Sequence, residues 1–298
     1  MTAGRPILVT GGSGQLATEL HRLARVPVCR VGRPRFDFDL PDSIAASFRQ
    51  ADPWLVINAA AHTAVDAAET DQGAAYRANR DGPAELARLC AAAGVPLVHV
   101  STDYVFDGAK PTPYHEADPV APQGVYGASK LAGEQAVLAS GAPAIILRTA
   151  WVYAPHGKNF VRTMLNAGRT RDRLTVVADQ RGCPTAAADL ADAILRIADR
   201  IADCGWRADY GGVFHAAGTG ETTWHGLATA VFQEAARHGI RTPRVDPIRT
   251  EDWPTPAKRP ANSCLDCGKL ERVFGMRLPP WRDSVARTVD AIFAMETV

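Results

Sequence analysis

Short apolar runs alternate with longer stretches whose apolar positions recur three and four residues apart. The runs are Ile7 to Thr10, Val28 to Val31, Trp54 to Asn58, Leu97 to Val100 and Ile145 to Leu147. Uninterrupted apolar runs of this length predict strands buried on both faces of a parallel sheet. Between them, Leu16, Leu20 and Leu23 predict a helix, a long helical stretch reaches about Ala93, and another runs from Tyr126 through Leu138. Strand and helix in strict alternation predict an α/β fold, a doubly wound parallel sheet. Later, Asn159 to Leu165 reads as a helix, and Leu190, Ile194, Ile197 and Ile201 mark an amphipathic one. Val213 to Ala216 predicts one more strand, Thr222 to His238 a helix, and the proline-rich segment from Arg241 to Pro260 an irregular one. The expected organisation is a sheet domain over 1–150, with returning segments near 186–218. A smaller substrate-binding lobe would fill most of 151–298.

Composition narrows the class. At 298 residues, with 46% hydrophobic content, the chain can bury one large α/β domain plus a lobe. A net charge of +1 argues against a nucleic-acid or membrane-surface partner, and no apolar run approaches a membrane span. Six scattered cysteines and no leader pattern make the expected location cytoplasmic. Cys264 and Cys267 form a single Cys-x-x-Cys without a second pair, so no metal site is expected there.

The first strand runs directly into Gly11-Gly12-Ser13-Gly14-Gln15-Leu16-Ala17. Strand, glycine turn and helix predict a Rossmann-type cofactor-binding unit. Gly11 would permit the tight turn, and Gly14 would let a pyrophosphate approach the helix N-terminus, whose free amides favour anions. Ala17 is small enough for close helix–strand packing. The second strand ends without a carboxylate, in a region holding Arg30, Arg33 and Arg35, followed by Asp37-Phe38-Asp39. Arginines there suit a 2′-phosphate, which favours NADPH, with NADH as the alternative. Ala59, Ala60 and Ala61 after the third strand leave room for a ligand across the backbone.

Tyr126 and Lys130 stand four apart at the head of a helix, where both side chains can point into one cavity. A lysine cation near a phenol favours the phenolate and would lower its pKa, making a general acid/base for a carbonyl oxygen. Thr102, at the carboxyl end of the fourth strand, is placed to donate to the same oxygen.

These residues together resemble the extended short-chain dehydrogenase/reductases, and within them the dTDP-4-dehydrorhamnose reductase family. The closer likeness rests on Gly14-Gln15-Leu16, Thr63 to Asp66, Thr102 to Gly108, Arg148 to Tyr153, Asp179 to Thr185 and Pro256 to Pro260. The resemblance implies NADPH-dependent reduction of the C4 ketone of dTDP-4-dehydro-β-L-rhamnose, the last step of dTDP-rhamnose synthesis. Tyr126 would be the proton donor, Lys130 its pKa modifier and a ribose contact, and Thr102 the third member. Asp103, Tyr104 and Trp151 would contact the deoxysugar, with Arg259 a further substrate contact. Gly11, Gly14, Gln15 and Leu16 would hold the pyrophosphate, Arg33 the 2′-phosphate, and Asp37 and Phe38 would flank the adenine. Ala59, Ala60 and Ala61 would line the cofactor groove, and Asn79 is the asparagine expected in the following helix. His62 departs from the tyrosine usual in the family, and Ala17 from its glycine. Two readings stay open: a reductase giving the 6-deoxytalose epimer, and a non-catalytic cofactor-binding regulatory subunit. Monomer and homodimer both stay open. The Mg2+ that some relatives hold between carboxylates of a dimer has no identifiable cluster in this sequence.

Overall fold

The computed structural model describes residues 4–296. Its centre is a six-stranded sheet: β1 (Ile7–Thr10), β2 (Val28–Val31), β3 (Leu55–Asn58), β4 (Leu97–Thr102), β5 (Ala144–Thr149) and β6 (Gly212–His215). The order is β6-β5-β4-β3-β1-β2, and every neighbouring pair is parallel. Successive side chains point to opposite faces, so each apolar run feeds two cores. Ile7, Val9, Leu55, Ile57, Val98, Ile145 and Leu147 lie on one face with α1 (Gln15–Leu23) and α6 (Ala187–Cys204). Leu8, Val56, Leu97 and Ile146 lie on the other, against α2 (Pro41–Ala51), α3 (Gly82–Ala93) and α4 (Val125–Ala139). Full burial of such side chains contributes about 1.5–3 kcal/mol each, which is why the runs tolerate no polar alternation.

A third apolar cluster joins α5 (Phe160–Gly168), α7 (Trp224–Arg237) and α9 (Trp281–Glu296) away from the sheet. Between α7 and α9, α8 (Gly268–Phe274) returns Leu270 and Phe274 to the sheet's core. Chain order reverses between β1 and β3, and the crevice outside their carboxyl ends is where open α/β sheets hold ligands. Among the described residues no helix is long and apolar enough to cross a membrane.

Three predicted elements differ. The stretch before Ala93 is broken into Val65–Thr70, Gln72–Tyr76, a π turn over Arg77–Asp81, and α3. Pro83 has no N–H for the Asn79 carbonyl four residues back, and Gly82 N–H donates instead to Arg77 O, five back. The segment from Thr222 begins as a two-residue strand paired with Arg181–Gly182, because Thr223 accepts from Gly226 N–H at 3.0 Å and starts α7 only afterwards. Within Arg241 to Pro260, Arg244–Ile248 pairs in parallel with Arg173–Val177. Pro247 sits in that outlying two-stranded ladder, the kind of position where a strand tolerates proline.

Candidate active site

The glycine turn after β1 is built for close approach. Gly11 and Gly12 have φ of 110° and 53°, which side chains rarely adopt. A Cβ on Gly11 would lie 3.0 Å from Ala59 O, one on Gly14 2.9 Å from Gly11 O, and one on Gly32 2.5 Å from the Gly12 Cα. The N-terminus of α1 has no side-chain cap and no acidic residue in its first turn. Its amides are therefore left for an anion, and the residues present fit a dinucleotide pyrophosphate.

Below this groove a buried polar chain ties three strand ends together. Thr10 Oγ1 donates to Asn58 Oδ1 at 2.6 Å, and Asn58 Nδ2 lies 2.9 Å from His99 Nδ1. Burial and the Lys130 charge hold the His99 pKa well below the usual imidazole range, so this link is a neutral one. Ala60 N–H donates to Thr10 Oγ1 at 3.2 Å, which fixes the start of the Ala59–Ala61 stretch.

Helix α4 presents Tyr126 from its first turn. Its N-terminus is capped from a distance: Val125 N–H donates to Glu69 Oε1 at 2.9 Å. A carboxylate there satisfies an orphan amide and meets the positive end of the helix dipole. The helix also touches the π turn. A Cβ on Gly133 would stand 1.9 Å from Asn79 O. Asn79 Nδ2 donates to Ser129 Oγ at 3.0 Å and to His62 O at 3.1 Å, and its Oδ1 accepts from His62 N–H at 2.8 Å.

The predicted triad comes together, with one difference. Thr102 stands beside the Tyr126 phenol and donates to Asp103 Oδ1 at 3.0 Å. Tyr104 packs edge-on against Tyr126, ring centroids 5.5 Å apart. Burial pushes the Tyr126 pKa up to about 12, opposed by the neighbouring Thr102 hydroxyl. The sequence predicted the opposite direction. Lys130 does not reverse it because its ammonium donates to Val100 O at 2.7 Å, underneath the site. Burial lowers the Lys130 pKa to about 8, with Glu134 opposing. Asp103 is 3% exposed, and burial raises its carboxyl to about 6 against the neighbouring Ser263 and Thr102 hydroxyls.

Four residues that the sequence reading passed over hold this arrangement. Glu134, one turn beyond Lys130, accepts from Arg148 through both oxygens at 2.9 and 2.7 Å and from Ser101 Oγ at 2.5 Å. Both partners of the ion pair are almost fully buried. Glu69 is the fourth. The only signal available was spacing: Lys130 and Glu134 continue the Tyr126 face by another four residues.

Other predicted contacts are dispersed or already engaged. Arg33 is exposed and pairs with Asp37 at 3.1 Å and Asp39 at 2.9 Å, so a phosphate would have to compete with two carboxylates. Phe38 packs edge-on against Phe36 and against Gly82, where a Cβ would collide with its ring at 2.0 Å. Arg259 Nη2 pairs with Asp66 at 2.8 Å, beside Tyr104. Trp151 sits at φ 49° with its ring stacked on Trp224 at 3.5 Å and backed by Gly182. No group of three metal-ligating side chains occurs among the described residues.

A family model, described as the RmlD substrate binding domain, matches residues 5–293. The chain belongs to this family. It is an oxidoreductase, similar over nearly its whole length to enzymes of one description. A dTDP-4-dehydrorhamnose reductase of Sinorhizobium fredii is 48% identical over 96% of this chain and 97% of its own. The solved dTDP-4-dehydrorhamnose reductase of Clostridium acetobutylicum has a TM-score of 0.89 at 37% identity, covering 97% of this chain and 99% of that one. That of Bacillus anthracis, solved in complex with NADP, has a TM-score of 0.88 at 31% identity, covering 96% and 99%. The two departures from the family pattern now have locations. Ala17 is buried in the core between α1 and the sheet, and His62 is fixed by Asn79 through its backbone while its Nδ1 is buried without a partner.

Proposed function

We propose that this chain reduces the C4 ketone of dTDP-4-dehydro-β-L-rhamnose to dTDP-β-L-rhamnose with NADPH, the last step of dTDP-rhamnose synthesis. The observation that carries the reading is the placement of Thr102 beside the Tyr126 phenol and the buried Asp103 carboxyl. A phenol held near a pKa of about 12 is protonated at neutral pH and is a proton donor, not a base, in the resting enzyme. The activity shared by the relatives supports the substrate, and the NADP complex of the Bacillus enzyme supports the cofactor.

When bound, the nicotinamide would supply hydride to the carbonyl carbon. The glycine turn and the α1 N-terminus would hold the pyrophosphate, with Gln15 and Leu16 at its head and Ala59, Ala60 and Ala61 along the groove. Arg33, Asp37 and Phe38 would meet the adenosine end, with Arg33 exchanging a carboxylate for the 2′-phosphate. Tyr126 would donate its proton to the developing alkoxide, while Thr102 hydrogen-bonds the same oxygen. Lys130, charged below pH about 8, would contact the ribose and, from beneath the site, would offset the charge of the phenolate left behind. Asp103, Tyr104, Trp151 and Arg259 would position the sugar nucleotide. The sheet domain of 1–150 with the 186–218 segments would carry the cofactor, and the lobe of 151–298 most substrate contacts. Positioned acid catalysis contributes about 10²–10⁴-fold, and orientation of the ketone supplies much of the rest.

The test is to mix purified protein with enzymatically generated dTDP-4-dehydrorhamnose and NADPH, follow loss of reduced-cofactor absorbance, and identify the sugar by NMR. A rhamnose product supports the proposal and a 6-deoxytalose product replaces it. Cofactor binding without oxidation would favour a regulatory subunit.

A further inference from the structure

The geometry points to an oxidisable dithiol, Cys183 with Cys264, that closes to a disulfide on the substrate side of the molecule. Arg181–Gly182 and Asn262–Ser263 form a parallel pair in which Arg181 faces Asn262 and Gly182 faces Ser263. The next residue on each strand is a cysteine, so Cys183 and Cys264 are cross-strand neighbours in the same register. Neighbouring strands lie about 4.8 Å apart, inside the roughly 4.4–6.8 Å that a disulfide requires between Cα atoms. Both side chains belong to the apolar cluster around Phe106 and Ala150, and each thiol shifts the other's titration.

Sequence spacing alone offers another pair, the Cys264-x-x-Cys267 motif, which reads as structural thiols. Cys267 precedes α8, and its Sγ faces Ala217 O at 3.9 Å and Leu265 O at 3.8 Å. Burial raises the Cys267 thiol to about 12, whereas the neighbouring Cys264 thiol holds the Cys183 thiol below its ordinary value. Cys183 is therefore the nucleophile and Cys264 the resolving thiol. Access runs past Glu221: Cys264 Sγ donates to Glu221 Oε2 at 3.4 Å, and that carboxylate is half exposed where it pairs with Arg181.

The oxidant is hydrogen peroxide. The Cys183 thiolate attacks a peroxide oxygen, the O–O bond breaks, and a sulfenic acid and hydroxide result. Cys264 then loses its proton and its sulfur displaces the sulfenic oxygen as water, forming the S–S bond. In total two thiols lose two protons and two electrons, and one peroxide becomes two waters. The bond would lock two segments that bear on the site: Gly182 backs the Trp151 ring, and Ser263 stands beside the buried Asp103 carboxyl. A severalfold fall in turnover is expected, and that part alone rests on the proposed reaction.

The full-length protein, treated with hydrogen peroxide and then quenched, is measured by intact mass and by peptide mapping without reduction. Expected are a loss of about 2 Da, the two thiol hydrogens, and a peptide joining Cys183 to Cys264. Cys183→Ser and, as a smaller apolar replacement, Cys183→Ala should abolish the cross-link, and Cys267→Ser should retain it. Dithiothreitol should restore mass and turnover together. A Cys264–Cys267 cross-link, or oxygen adducts without any cross-link, would overturn the assignment. The wild-type mapping decides it even if the ketosugar proves not to be the substrate.

Discussion

The proposed catalytic residues stand among buried charges, only some of which are paired. Lys130 and Arg148 are buried cations, Glu134 and Asp103 buried anions, and each is less than 5% exposed. Isolated, any one would be too costly to keep charged in an interior. Glu134 compensates in two directions, as partner of Arg148 and as the charge that raises the Lys130 pKa against burial. Tyr126→Phe should lower kcat by about 10²–10⁴-fold, with NADPH affinity nearly unchanged in a fluorescence titration, because only the transferable proton is lost. Wild-type turnover in that variant would remove Tyr126 from the chemistry. The pH dependence follows from Lys130. Its folded pKa, about 8, lies below the ordinary lysine value of 10.5. Between those values the unfolded chain binds more protons, so stability should rise with pH there, while kcat should fall as the ammonium is lost above about 8. Opposite slopes in melting temperature and kcat over that window are the signature to measure. Parallel slopes would mean that another group controls turnover.

At the scale of elements, the α4 helix is where sequence and structure agree best and where their disagreement is most informative. Its start, its Tyr-x-x-x-Lys face and its place after β4 were all legible, because helical spacing and parallel-sheet runs are local signals. What held it was not local. Glu69 caps it from 56 residues away, and the Asn79 carbonyl presses on Gly133 because Pro83 released it from helical pairing. The direction of the Tyr126 pKa shift was illegible for a similar reason: spacing placed a lysine near a phenol, but burial and the Val100 carbonyl decided where its charge went. Glu69→Ala should cost about 0.5–2 kcal/mol in denaturant unfolding, as loss of a helix cap does. It should also lower kcat, because the frayed turn is the one bearing Tyr126. A variant equally stable and equally active would show that the cap is redundant. Gly133→Ala should be worse than a cap loss, since its Cβ overlaps backbone that cannot rotate away.

Across the whole molecule, one joint links the lobe's strand pair, its helix and the loop expected to be irregular. Asp179 accepts from Thr250 N–H at 3.0 Å and from Thr250 Oγ1 at 2.6 Å, and Gln180 Nε2 donates to Thr250 Oγ1 at 3.0 Å. Gln180 Oε1 in turn accepts from Trp224 Nε1 at 3.2 Å, and Trp224 stacks on Trp151. The loop beyond Thr250 reaches Asp66, where Ala257 N–H and Arg259 are both held. A single hydroxyl therefore sits between the position of the Trp151 ring and the anchoring of Arg259, while touching nothing in the cofactor groove. Thr250→Val keeps the side chain's volume and removes the hydrogen bonds of its hydroxyl, leaving Gln180 without that partner. KM for the sugar nucleotide should rise severalfold in steady-state assays, with kcat and the NADPH dissociation constant little changed, because uniform substrate binding is what the joint supports. A fall in kcat at unchanged KM would place Thr250 in the chemistry instead, and would show that the lobe and the proton relay move as one body.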